Sequence, residues 1–310
     1  MTLNITVLTA DLIYQSADFR ITGKPTHNRS PKIVTLTYSS FTGFVTYAGI
    51  GSLWYKATSQ LIAKWLTGAG DLSMADVASV LQSKGAELVA EARRSTGRLE
   101  CMTFVLAGFE GGKPGVYVIS NFETASGERY ATERSLKITY RRIGQNRKAT
   151  TIVTGSGADY VSTAGRRALA YAAARSSYDS GRIRQRLERI HLAAEEGERK
   201  KGKSTISPHC MVVSFRSDGS GVLRLDPAAP EIPQEFPHVA FGQNLAELLS
   251  GAMRSLGIDP AKARIVQGAY ASVIPGGNRK LRSHLAGSRS HRRSLSRDFS
   301  LESSRQTTPH

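Results

Sequence analysis

The stretch from Thr2 to Gly49 constrains this chain most. Short apolar runs, LNITVL, LIYQSA and KIVTL, followed by GFVTYAGIG, are separated by polar or Gly/Pro-containing joints. Runs too short for helices and bounded by turn formers read as consecutive paired strands, so the chain opens on hairpins. Chemistry-bearing groups fall at the strand ends. Thr2 stands at the start of the first strand, Asp18 ends the second in Ala-Asp-Phe-Arg, Lys32 opens the third, and Ala48-Gly49 closes a fourth.

After Gly49 the apolar period lengthens. SLWYKATSQLIAKWL places Leu53, Trp54, Ala57, Leu61, Ile62 and Trp65 at three- and four-residue steps, which predicts an amphipathic helix. Ser73 is a candidate N-cap for a second helix, with Asp76 completing a near capping box and Val77, Val80, Leu81, Leu88 and Val89 on one side. Gly85 lies inside that helix, at a cost of roughly 1 kcal/mol against Ala. CMTFVLAGF and GVYVISNF then read as strands joined by a Gly/Pro turn, and LKITYRR as a further strand.

In TIVTGSGADYVSTAGRRALAYAAAR a strand stops at Gly155-Ser156-Gly157 and an alanine-rich helix begins. GRIRQRLERIHLAAEEGER is a fourth helix with Ile183, Leu187, Ile190 and Leu192 as its apolar stripe. HCMVVSFRSDGSGVLRL is a hairpin turning at Asp218-Gly219. Strands, two helices, strands, two helices and strands again predict an α+β protein in which two helix pairs cover two antiparallel sheets, a four-layer αββα sandwich over residues 1–225. Residues 226–275, with a Pro-rich segment, a helix in NLAELLSGAMRSLGI and a strand in ARIVQGAYASVI, are expected to form an appendage packed on that core. Residues 276–310 are Ser/Arg-rich and poor in apolar side chains, and are expected to be disordered.

Composition narrows the function classes. No apolar run approaches the length of a membrane span, and the N-terminus lacks a basic-then-apolar leader, which predicts a cytoplasmic chain without membrane contact. Cys101 and Cys210 each begin a strand-like run and are expected as reduced core thiols; His191 and His209 are too isolated for a metal site. Gly155-Ser156-Gly157 resembles half of a dinucleotide fingerprint, but Tyr160 stands where the third glycine belongs, so neither cofactor nor metal is expected. The formal charge of +17 comes in good part from the tail and from two loops, which limits nucleic-acid contact to a weak, salt-dependent, sequence-nonspecific mode.

The order Thr2, Asp18, Lys32, Ala48-Gly49 and TGSGADYVSTAGRRAL resembles the N-terminal-nucleophile hydrolases of the proteasome type, 20S proteasome β-subunits and the bacterial HslV. Thr2 to Asp18 fits without a gap, while Lys32 arrives early, which places a small deletion in the link before it. The resemblance implies that Thr2, made terminal by loss of Met1, is the nucleophile and that its α-amino group accepts the proton. It implies further that Lys32 and Asp18 stand behind it, that the Gly49 N–H faces the oxyanion, and that Ser156 hydrogen-bonds near the amine. A peptide or protein substrate, a homo-oligomer and room for an ATPase partner follow from the same resemblance. One departure stands out: active members follow the fourth helix with an Asp-x-x-Ser pair, and AAEEGERKKGKSTIS offers Glu195, Glu196 and Ser204 without that spacing.

Each residue also has a plain structural reading. Asp18 and Arg20 could form a strand-end ion pair, Lys32 could guard an edge strand, and Gly49 could mark a turn. Three functions therefore stand side by side: a threonine-type peptidase or amidase, an inactive scaffold of the same fold, and a polyanion-binding protein acting through the basic tail.

Overall fold

The computed structural model describes residues 2–21, 31–53, 56–143, 148–175, 180–218, 221–225, 237–245, 247, 248, 251 and 255. In chain order these form β1 (Asn4–Thr9), β2 (Leu12–Asp18), β3 (Ile33–Thr37), β4 (Phe41–Ala48), β5 (Ser52–Leu53), β6 (Lys56–Ala57), α1 (Thr58–Leu66) and α2 (Met74–Thr96). There follow β7 (Thr103–Glu110), β8 (Lys113–Ser120), β9 (Lys137–Arg142), β10 (Ala149–Thr154), a 3₁₀ turn (Ser156–Tyr160), α3 (Thr163–Arg175), α4 (Ser180–Arg199), β11 (Cys210–Arg216), β12 (Gly221–Leu225), β13 (His238–Ala240) and β14 (Gln243–Asn244).

The strands alternate their faces, and the alternation separates the apolar residues into three cores. One sheet has the order β10-β1-β2-β11-β12, a second β14-β13-β3-β4-β7-β8-β9, and β5 pairs with β6. Leu3, Ile5, Val7 and Tyr14 face one way and pack with Leu169 and Ala173 of α3 and Ile183, Leu187 and Ala194 of α4. Leu8, Ile13 and Ala17, on the opposite face of the same strands, meet Phe44, Val105 and Val118 of the second sheet. Val34, Leu36, Val45 and Tyr47 on that sheet's other face pack with Ile62 of α1 and Val77 and Leu81 of α2. The protein is thus a mixed α+β fold with several sheets. Each fully buried aliphatic or aromatic side chain contributes about 2 kcal/mol by leaving water.

The capping box of α2 forms as its sequence predicts, Ser73 Oγ accepting the Asp76 N–H at 3.1 Å and Asp76 Oδ2 accepting the Ser73 N–H at 3.1 Å. Other elements differ from expectation. The first helix begins at Thr58, because Ser52–Leu53 and Lys56–Ala57 pair with each other instead of coiling. In α4, Leu192 points outward at 54% exposure while His191 is fully buried. The buried line Ile183, Leu187, His191, Ala194, Glu198 keeps helical period with a histidine and a glutamate in two of its places. The alanine-rich helix starts only at Thr163, after the 3₁₀ turn.

The segment after the Pro-rich stretch contributes a short hairpin, β13 and β14, with β13 running parallel to β3. The strand expected in ARIVQGAYASVI and the disorder expected for 276–310 lie outside the described residues, as does most of the helix expected in NLAELLSGAMRSLGI. Cys210 is buried and Cys101 partly so, and neither forms a disulfide. Among the described residues no helix is long and apolar enough to cross a membrane, and no cluster of His, Cys, Asp and Glu could hold a metal ion.

Candidate active site

The β1–β2 hairpin pairs Asn4 with Ala17, which brings the residue after Thr2 opposite Asp18. The Leu3 N–H therefore donates to Asp18 Oδ1 at 3.1 Å. Three more donors converge on the same carboxylate: Lys32 Nζ on Oδ1 at 3.1 Å, and the N–H groups of Arg20 and Ser207 on Oδ2 at 3.1 and 3.2 Å. Asp18 is fully buried, and these four donors satisfy both of its carboxylate oxygens. Lys32 pairs with Asp18, and Arg20 donates from Nη1 to Ser204 Oγ at 2.5 Å.

Lys32 reaches from the start of β3 across to the first strand. Its Nζ lies 2.5 Å from Thr2 Oγ1, and both residues are buried. Burial pushes the Lys32 pKa below the ordinary lysine range; the Asp18 charge and hydrogen bond pull it back up, and Arg20 pushes it down again. The lysine is thus a desolvated amine held against a hydroxyl by one carboxylate.

Thr2 is covered by the turn that follows β10. The Gly157 N–H donates to the Thr2 carbonyl at 3.2 Å. Gly155 adopts a φ of +83°, and a Cβ there would fall 2.2 Å from the Thr2 carbonyl oxygen and 3.2 Å from Ala48 Cβ, so only glycine fits. That contact places Thr2, Gly155 and the end of β4 side by side. Gly49, next after Ala48, is exposed with a φ of +110°, and a Cβ on it would lie 1.9 Å from the Cys101 carbonyl oxygen. Ser156 Oγ is buried and has no hydrogen-bond partner among the described residues.

The structure therefore brings Thr2, Asp18 and Lys32 into one hydrogen-bonded group, with the Gly155–Gly157 turn on Thr2 and Ala48 beside that turn. No protein-family model matches the sequence, and no curated protein matches it at a significant level. Among its structural neighbours are Anbu subunits. The Anbu Gly-1 mutant from Hyphomicrobium sp. strain MC1 aligns over 83% of this chain and 98% of its own at 15% identity and a TM-score of 0.48. Anbu, the ancestral beta-subunit, from Yersinia bercovieri aligns over 85% and 98% at 14% identity and a TM-score of 0.46. The Anbu complex from Pseudomonas aeruginosa, described as a helical assembly, aligns over 87% and 100% at 16% identity and a TM-score of 0.45. The expected likeness to HslV and 20S β-subunits is thereby corrected: the matching structures are proteasome-like subunits of the Anbu kind.

Sequence reasoning missed several supporting residues. Ser207, not Ser204, reaches the site, through its N–H on Asp18. The acid that organises the segment after α4 is the buried Glu198, which accepts from the N–H groups of Thr205 at 2.6 Å and Ile206 at 2.8 Å. His191 lies behind Asp18's strand, with Nε2 3.0 Å from Ser16 Oγ and its pKa lowered to about 4 by burial. The helical period of α4 was the one signal that could have found the buried residues His191 and Glu198. Ser207 carries none.

Proposed function

We propose that this chain is a threonine-type amide or peptide hydrolase of the proteasome-like, N-terminal-nucleophile kind, with Thr2 as nucleophile once Met1 is removed. One observation carries the reading: Lys32 Nζ lies 2.5 Å from Thr2 Oγ1 in a buried group anchored by Asp18. A surface guard lysine has no need of burial against a hydroxyl, and a buried ammonium donating to that oxygen is suited to stabilising the negative charge that develops as the hydroxyl loses its proton.

In this reading the Thr2 hydroxyl adds to the substrate carbonyl while its proton passes to the free α-amino group, whose pKa is about 8. The adjacent Lys32 ammonium holds down the pKa of that amine and stabilises charge on Oγ1. The Gly49 N–H faces the developing oxyanion, a role in which a lost donor costs on the order of 3 kcal/mol of barrier. Ser156 Oγ, buried and without a partner among the described residues, hydrogen-bonds the α-amino group in this reading. As the adduct collapses, the α-ammonium returns its proton to the leaving nitrogen, so that a free amine departs and an ester is left on Thr2, which water activated by the α-amino group then hydrolyses. The three apolar cores support a four-layer αββα arrangement as the frame of this site.

The test is modification and turnover together. A peptide vinyl sulfone should modify Thr2, and Thr2→Ala should abolish both this adduct and peptide hydrolysis; hydrolysis unchanged in Thr2→Ala removes the proposal. Assembly into a homo-oligomer belongs to the same reading, and sedimentation showing only monomer would remove that part. A catalytically silent scaffold is the second reading, favoured by the 2% exposure of Thr2. Failure of Thr2 to react, in protein whose first residue is Thr2, selects it.

A further inference from the structure

The loop after β8 reaches from the second sheet to the turn that covers Thr2. Glu123 and Arg129 face each other across an antiparallel bridge in this loop, and both grip Gly155. Glu123 Oε1 accepts the Gly155 N–H at 3.1 Å, with Oε2 at 3.3 Å from the same nitrogen, and Arg129 Nη2 donates to the Gly155 carbonyl at 2.9 Å. The two side chains are themselves fixed. Thr103 Oγ1 donates to Glu123 Oε1 at 2.6 Å, and Arg129 Nη1 donates to Asp159 Oδ2 at 2.9 Å.

Gly155 lies so close to Thr2 and Ala48 that a Cβ on it would fall 2.2 Å from the Thr2 carbonyl oxygen and 3.2 Å from Ala48 Cβ, and Gly157 holds the Thr2 carbonyl. Whatever fixes the Gly155 peptide therefore fixes the covering of Thr2. The same loop also braces the other side of the site. Asn121 Oδ1 accepts the Met102 N–H at 2.7 Å, and its Nδ2 donates to the Glu100 carbonyl at 2.9 Å, on either side of the Cys101 carbonyl that packs against Gly49.

Glu123 is 2% exposed, and burial pushes its pKa up, with the Thr103 and Gly155 hydrogen bonds and the Arg129 charge opposing. A neutral side chain could fill that space without the desolvation cost of an ion. What a carboxylate and a guanidinium add is strong, directed hydrogen bonding at both ends of one peptide segment.

We propose that Glu123 and Arg129 are positioning residues that clamp Gly155 at its amide and its carbonyl, so that the Gly155–Gly157 turn keeps Thr2 in register with Gly49. The proposal rests on the reading of Thr2 as nucleophile.

The experiment uses the full chain and two readouts: the concentration dependence of Thr2 modification by a peptide vinyl sulfone, and amide hydrogen exchange over residues 155–157. Glu123→Gln and Arg129→Ala should each lower the maximal modification rate by about tenfold to a hundredfold, with the half-maximal concentration changed less than about twofold. Exchange at 155–157 should accelerate in both. The double variant should be no slower than the slower single one, because both groups act through the same segment. Wild-type rates and exchange in the single variants would overturn the clamp, as would losses that multiply in the double variant. Rate losses that follow a general fall in Tm, with exchange at 155–157 unchanged relative to the rest of the chain, would overturn it too. Absence of any wild-type Thr2 adduct would instead overturn the hydrolase reading and with it the catalytic sense of the clamp. An adduct in wild type with unaffected variants would overturn the clamp alone.

Discussion

Lys32 Nζ bridges Thr2 Oγ1 at 2.5 Å and Asp18 Oδ1 at 3.1 Å, and all three residues are buried. The bridge ties the ends of three strands, and among the described residues Asp18 is the carboxylate that pairs with the amine.

Asp18→Asn should therefore cost twice. Removing the charge that raises the Lys32 pKa leaves burial unopposed, so that pKa falls further. The uncompensated charge behind that shift destabilises the fold by about 3 kcal/mol or more. Urea denaturation should show this loss, and Thr2 modification should slow by about a hundredfold. A variant of wild-type stability would show that the backbone N–H groups on Asp18 matter more than the ion pair.

His191 supplies a pH dependence with a definite sign. Its pKa in the folded chain is about 4, against an ordinary 6.5, because burial and the Lys32 charge outweigh the pull of Asp18. Between these values the unfolded chain binds more protons, so stability rises with pH across the window and is lost as pH falls from about 6.5 toward about 4, by up to about 3 kcal/mol. Denaturation midpoints measured across that window should show the slope. His191→Gln should flatten it; an equal slope in the variant would assign the effect elsewhere.

Gly85→Ala should destabilise, although helix propensity alone predicts a gain of roughly 1 kcal/mol. A Cβ at this position would lie 2.6 Å from Phe104 Cε2 and 2.9 Å from Leu136 Cδ2, both in the buried core beneath α2. Overpacking of this kind costs about 1–3 kcal/mol, so the expected net change is a loss. Thermal unfolding decides it, and a raised Tm would show that the ring moves aside freely.

Much of the architecture was legible because it is written in local periods. The strands of Thr2–Gly49, the Ser73–Asp76 cap and the four helices need only neighbouring residues to specify them. The pairing of β13 with β3 was not legible, because Ile33–Thr37 and His238–Ala240 meet through long-range pairing that no local pattern records. The α4 stripe was misassigned at Leu192, since hydrophobicity favours a leucine over the adjacent histidine that actually turns inward. At the site, Thr2, Asp18 and Lys32 could be picked out because strand ends place them. Glu123, Arg129 and Ser207 could not, for their roles exist only through backbone groups brought from distant segments.

The most direct measurement is the intact mass of the purified protein before and after treatment with a peptide vinyl sulfone, with the modified residue located by fragmentation. The account predicts a chain that begins at Thr2 and gains one adduct, on Thr2. A chain that retains Met1, or one that begins at Thr2 and takes the adduct elsewhere or not at all, would contradict it.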